Sequence, residues 1–142
     1  MLLVEDDSND CLLMEHAFSR SAPHVRLHKV RDGIEAQEYL TGKGVFADRA
    51  QYPLPELILL DLKLPRKNGL EVLEWMKGNP ELKDLRVIVL SSSQEKRDID
   101  RAYELGASSF LVKSVNIRDL SRMAEGIETY ATLMRKDYPT EI

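Results

Sequence analysis

The chain has one cysteine, Cys11, among 142 residues, so no internal disulfide can form, which fits a reducing cytoplasm. It also lacks any apolar run near the roughly 18 residues of a membrane span. Glu5 interrupts the N-terminal run too early for a signal peptide, so neither secretion nor a membrane partner is expected. Charge of one sign is missing as well. Twenty Lys and Arg stand against 24 Asp and Glu, a net −4 with both signs mixed throughout, and this leaves no electrostatic footprint for nucleic acid. No internal repeat and no low-complexity stretch occurs. The length is that of one domain, 1–142, with a tail from about 135, and it leaves no room for an output domain.

What is present is an alternation of strand-like runs and helical patterns, which argues for βαβ units and a parallel sheet with helices on both faces. Met1 is followed by only Leu2, Leu3 and Val4 before the acids, fewer than the ~5–6 residues of an average strand. Two readings stay open there, a short first strand or native residues upstream. A helix is expected from Ser8 to about Ala22, with Cys11, Leu13, Met14, Ala17 and Phe18 on its apolar face. Val25 to Val30 reads as strand two, Arg31-Asp32-Gly33 as a turn and Ile34 to Leu40 as a short helix. Thr41 to Glu56, with two Gly and two Pro, reads as an extended loop longer than usual. Strand three is Leu57 to Leu60, followed by turn chemistry from Leu64 to Gly69 and a helix carrying Leu70, Leu73 and Met76. Arg86 to Leu90 is strand four, Glu95 to Leu105 a helix closed by Gly106, and Ser109 to Val112 strand five. The last helix is the clearest, because Ile117, Leu120, Ala124, Ile127, Ala131 and Met134 fall at alternating steps of three and four.

Three strand-like runs end abruptly in charge: Leu2-Leu3-Val4-Glu5-Asp6-Asp7, Leu57-Ile58-Leu59-Leu60-Asp61 and Phe110-Leu111-Val112-Lys113. A fourth, Val87-Ile88-Val89-Leu90, ends in Ser91-Ser92-Ser93. Parallel strands would bring these ends to one edge of the sheet, where open α/β folds bind ligands. Carboxylates converging to about 4 Å repel by roughly 4 kcal/mol per pair at an effective dielectric near 20. A hard divalent cation such as Mg²⁺, or Mn²⁺ in its place, relieves that repulsion and accepts such ligands. Asp7 and Ser8, beside the first helix, read better as caps. Asp61 could act as a nucleophile toward a phosphoryl group, with Lys113 as a compact positive charge and Ser91 as a hydroxyl donor.

Acids after strand one, an isolated acid, a hydroxyl and a lysine, in that order, resemble the receiver domain of bacterial two-component response regulators. The resemblance covers essentially the whole chain. It implies a flavodoxin-like (βα)5 doubly wound fold with sheet order 2-1-3-4-5. It also implies Mg²⁺ held by Asp6, Asp61, the backbone carbonyl of Lys63 and, through water, Glu5. Asp61 becomes the phospho-acceptor, Ser91 the switch hydroxyl, Phe110 the switch aromatic and Lys113 the phosphoryl contact. Pro65 and Gly69 match the family's loop after the acceptor. Three positions depart from the pattern: Glu5 where Asp is commoner, Phe110 without a phenolic hydroxyl, and Ser114 where a cis proline usually follows the lysine. A non-proline cis bond costs about 3–4 kcal/mol, which leaves the geometry of Lys113-Ser114 open.

Glu5, the long loop, Leu90-Ser91-Ser92-Ser93 and Lys113-Ser114 are similar to the single-domain regulators that work with phytochrome-type histidine kinases. A sensor histidine kinase is then the expected partner. The absence of an output domain further suggests a homodimer through helix four, strand five and helix five. The alternative is a phosphohydrolase of the haloacid dehalogenase type, which also uses a strand-end Asp, Mg²⁺, a Ser/Thr and a Lys. Against it, the second acid of that family's Asp-x-Asp motif corresponds here to Lys63. His16, His24 and His28 show no metal-ligand spacing, and Cys11 reads as a small packing residue.

Overall fold

The computed structural model describes residues 1–92, 94–113 and 117–133. Five parallel strands, β1 (Leu2–Val4), β2 (His28–Val30), β3 (Leu57–Leu60), β4 (Arg86–Ser91) and β5 (Ser109–Val112), form one sheet in the order 2-1-3-4-5. Between and after them run α1 (Ser8–Ser21), α2 (Gly33–Thr41), α3 (Gly69–Lys77), α4 (Lys96–Glu104) and α5 (Ile117–Leu133). The three central strands are continuous apolar runs because both sheet faces are covered. Successive side chains point to opposite faces, and the core divides accordingly. Leu2, Val4, Ile58, Leu60, Val87 and Val89 pack toward the side chains of α2, α3 and α4. Leu3, Leu57, Leu59, Ile88 and Leu90 pack with Met14, Ala17 and Phe18 of α1 and Leu120, Ala124 and Ile127 of α5. Thus Met14, Ala17 and Phe18 of the stripe expected for the first helix and Leu120, Ala124 and Ile127 of that expected for the last are buried, while Met134 and the Ile117 side chain lie outside the described residues.

Strand two is shorter than expected. His28 N–H donates to the carbonyl of Met1 at 2.9 Å, and the ladder with β1 begins at Leu2 opposite His28. Val25 and Leu27 have no strand alongside and instead pack on the α1/α5 face. The long loop is more ordered than its composition suggested. It contains a 3-10 turn, Gly44–Phe46, and closes through Arg49. That guanidinium donates to the carbonyls of Tyr39 at 2.7 Å, Leu40 at 2.9 Å and Tyr52 at 3.1 Å, satisfying orphan acceptors at the end of α2. Rings of Tyr39, Phe46, Tyr52 and His28 pack against one another, with centroids 5.1 Å apart for Tyr39–Phe46 and 5.3 Å for Phe46–Tyr52, and the guanidinium lies 5.9 Å from the Tyr39 centroid. Tyr39 is therefore a core residue, buried with its hydroxyl donating to Pro53 O at 3.0 Å.

Candidate functional site

Each strand end is extended by one backbone hydrogen bond, and those bonds fix the functional residues. Glu5 N–H donates to Val30 O and Asp61 N–H to Val4 O, both at 3.1 Å, while Lys113 N–H donates to Ser91 O at 2.9 Å. Glu5, Asp61 and Ser91 are all buried at this carboxyl edge, Ser91 completely. After β1 the chain turns directly into α1. Asp7 caps it, accepting from Asn9 N–H at 2.8 Å and Asp10 N–H at 3.0 Å, as expected for that acid.

The Lys113 ammonium lies among three carboxylates. Its Nζ is 3.0 Å from Asp61 Oδ2 and 2.8 Å from Asp10 Oδ2, and it is paired with Glu5 Oε1. An ammonium has three N–H donors, so all three can be engaged. Burial works against the charge on Lys113, but hydrogen bonds to Asp10 and Glu5 and the charge of Asp61 outweigh it and push the lysine pKa up. Burial pushes the Glu5 carboxyl up to about 7, with the Asp61 charge adding to it against the lowering effect of Lys113 and of the Asp7 N–H. With one cation for three acids, the cluster retains unbalanced negative charge.

The loop after β3 is held in place from two sides. Lys63 N–H donates to Asp61 Oδ1 at 3.2 Å, while the residue itself is exposed. Gly69 N–H donates to Leu62 O at 3.0 Å, and a Cβ at Gly69 would fall 2.4 Å from Asp61 O, so only glycine permits this approach. Gly33 admits the same loop from the α2 side, since a Cβ there would fall 2.1 Å from Lys67 O. Arg66, at φ 62°, bridges back to Asp32 Oδ2 with its Nη2 at 2.7 Å and Nε at 2.9 Å. Asp32 in turn caps α2 through Glu35 N–H at 2.8 Å.

Of the residues expected from sequence, Glu5, Asp61 and Lys113 meet directly, and Ser91 lies beside them at the end of β4. Asp6 is exposed, and among the described residues no three His, Cys, Asp or Glu stand together as a ready metal cage. Phe110 is half-buried against the α2/α3/α4 side of the core, and its N–H donates to Tyr103 Oη at 3.1 Å. Ser93 and Ser114 lie outside the described residues. Asp10 was not singled out from sequence, although a signal exists: with Met14 and Ala17 it forms the steps i, i+4, i+7 of the buried face of α1. His16 and His24 are exposed, the latter paired with Glu128, His28 is half-buried, and Cys11 packs on the α1/α5 side.

The family model for the response regulator receiver domain matches residues 1–125. The chain belongs to the receiver family. Among its relatives is the response regulator Rcp1 of Synechocystis, 41% identical over 130 residues that cover 92% of this chain and 86% of that one. The crystal structure of the Mn(2+)-bound form of Rcp1 superposes with a TM-score of 0.81, covering 98% and 97% of the two chains. That of the phosphorylated cyanobacterial phytochrome response regulator RcpA gives 0.82 at 40% identity, covering 91% and 90%. Response regulator RPA3017, in red light signaling of R. palustris, gives 0.83 at 33% identity, covering 99% and 97%. Nothing in these relatives favours the phosphohydrolase reading. As a receiver, the chain is a signalling protein, and among the described residues no helix is long and apolar enough to cross a membrane.

Proposed function

We propose that this receiver stands alone, in the cytoplasm, and takes a phosphoryl group from a phosphohistidine of a phytochrome-type sensor kinase onto Asp61. The observation that carries the reading is the pairing of Lys113 Nζ with Asp61 Oδ2 at 3.0 Å on the carboxyl edge of the sheet. An Asp61 oxygen would bond to phosphorus as the P–N bond breaks, the imidazole nitrogen leaving with the electron pair. Lys113 neutralises charge on the phosphoryl oxygens and Ser91 donates its hydroxyl to them. Hard oxygen donors and uncompensated negative charge suit Mg²⁺ or Mn²⁺, with Asp6, Asp61, the Lys63 carbonyl and, through water, Glu5 as the groups that would hold it. Such an ion supplies charge neutralisation and in-line positioning.

Drawing Ser91 toward the phosphoryl oxygens lets Phe110 turn inward, which changes the face of α4, β5 and α5. The phosphoryl contacts supply the differential free energy of this population shift. Tyr103 and Val112 are exposed on that face, 47% and 42%, which supports docking of a second copy there. Incubation with acetyl phosphate and Mg²⁺ should add one phosphoryl group to the intact mass of the wild type. Labelling of Asp61→Asn, or labelling in excess EDTA, overturns the assignment. Light scattering with and without beryllofluoride tests the dimer, and a strict monomer in both states rejects it.

A further inference from the structure

Asp10 has no part in the phosphorylation chemistry just proposed, yet its Oδ2 lies 2.8 Å from the site lysine, nearer than the 3.0 Å of Asp61. It reaches the ammonium from the α1 side, whereas Glu5 and Asp61 reach it from the sheet edge. The Lys113 side chain shares a crevice of about 10 Å³ with Asp10, Leu13, Met14, Leu90 and Leu120. That volume is at the lower limit for one water, so the ammonium is positioned by carboxylates rather than by solvent inside the crevice. Its three N–H groups are matched by three carboxylates. Any N–H turned toward a phosphoryl group must therefore be drawn from one of them.

We propose that Asp10 is a positioning residue that competes with the phosphoryl group for Lys113, and so sets how much of the lysine's charge the phosphorylated site receives. The inference rests on the reading of Asp61 as acceptor. Asp61 gives up its own negative charge to the phosphoryl group when it is modified. Asp10 keeps its charge, anchored by its place in the first turn of α1, and continues to pull the ammonium away. An asparagine there preserves shape and a hydrogen-bond acceptor but removes the charge. Phosphoryl-like ligands should then bind more tightly.

The test is a beryllofluoride titration at saturating Mg²⁺, followed by ¹⁹F NMR, on the wild type, Asp10→Asn, Lys113→Met and the double variant. Asp10→Asn should tighten binding roughly threefold to tenfold, the range expected for one partly screened charge beside the ligand's partner. In the Lys113→Met background the same substitution should change affinity by less than about twofold, because the pathway through the lysine is gone. Unchanged or weaker binding in Asp10→Asn overturns the proposal. Equal tightening in both backgrounds also overturns it, since that is direct repulsion rather than competition for the lysine. Should Lys113→Met fail to fold or to bind, the ¹⁹F spectra of wild type and Asp10→Asn decide. A shift confined to one of the bound fluorines supports the competition, and identical spectra reject it. A wild type that takes no beryllofluoride removes the Asp61 reading and this inference together, whereas a wild type that binds beside an indifferent Asp10→Asn removes this inference alone.

Discussion

At the carboxyl edge of the sheet a single ammonium, that of Lys113, holds Glu5, Asp10 and Asp61 together. At the amino edge the rings of His28, Tyr39, Phe46 and Tyr52 and one guanidinium, that of Arg49, hold the loop between α2 and β3. The first arrangement is undercompensated and has a use for further positive charge. The second has its rings packed and its guanidinium matched by three carbonyls, with His28 Nε2 the ring atom of the group that is buried without a hydrogen-bond partner. One fold therefore keeps reactivity and rigidity at opposite ends, using charge where something must arrive and apolar contact where the chain need only stay put.

Four substitutions press on this contrast. Tyr39→Ala should be the most damaging, costing about 3–5 kcal/mol of stability by emptying a fully packed site. Denaturant unfolding reads the loss. Beryllofluoride affinity of the folded fraction should be unchanged, and a large change there would mean that the two ends are coupled. Lys113→Met should cost about 3 kcal/mol, because it leaves three acids facing one another without a cation. Millimolar Mg²⁺ should restore part of that stability by binding the folded form, measured as a rise in the unfolding midpoint larger than the rise the same ion gives Tyr39→Ala, whose site keeps its lysine. Arg49→Met should cost about 2 kcal/mol through three lost charge-assisted hydrogen bonds. Hydrogen exchange should show the loss as faster exchange in residues 42–56 and no change around Asp61.

The smallest effect is expected at Asp32, which lies at the carboxyl edge outside the Lys113 cluster and straps the acceptor loop to α2. Burial raises its pKa, yet the Glu35 N–H and the Arg66 guanidinium outweigh burial and hold it below the ordinary aspartate value. Its stabilisation is therefore complete above that ordinary value and is lost as pH falls through the lower folded value. Asp32→Asn should cost about 1 kcal/mol at neutral pH and flatten this part of the acid limb in unfolding curves taken from neutral to strongly acidic pH. An unaltered acid limb would mean that Arg66 and the cap do not stabilise the charged form.

The same contrast explains what was legible in the sequence. Continuous apolar runs for the strands and a 3.6-residue period for the helices carried the layered fold, since both faces of the central strands are buried. Sheet order came from family resemblance, because no local pattern encodes which strand lies beside which. The start of β2 was misplaced for a similar reason: Val25 and Leu27 are apolar enough for a strand, but pairing with β1 begins only at His28. Tyr39 near the end of α2 and Phe46 and Tyr52 in the loop after it obey no common period, so their clustering could not be read from spacing. The abrupt change from apolar to charged marked Glu5, Asp61 and Lys113. Asp10 escaped because an acid in a helix's first turn has an ordinary explanation in the helix dipole.

Tyr103 carries one last consequence. Among the described residues strand β5 has a neighbour on one side only, and the outward N–H of Phe110 would otherwise be open to any extended chain that came alongside. The Tyr103 hydroxyl accepts that hydrogen at 3.1 Å and so occupies part of the hydrogen-bonding rim. Exposed rims of this kind are where sheets of separate molecules join end to end into aggregates. A single phenol thus serves as a guard against unwanted strand addition, on the very strand whose aromatic side chain is proposed to move.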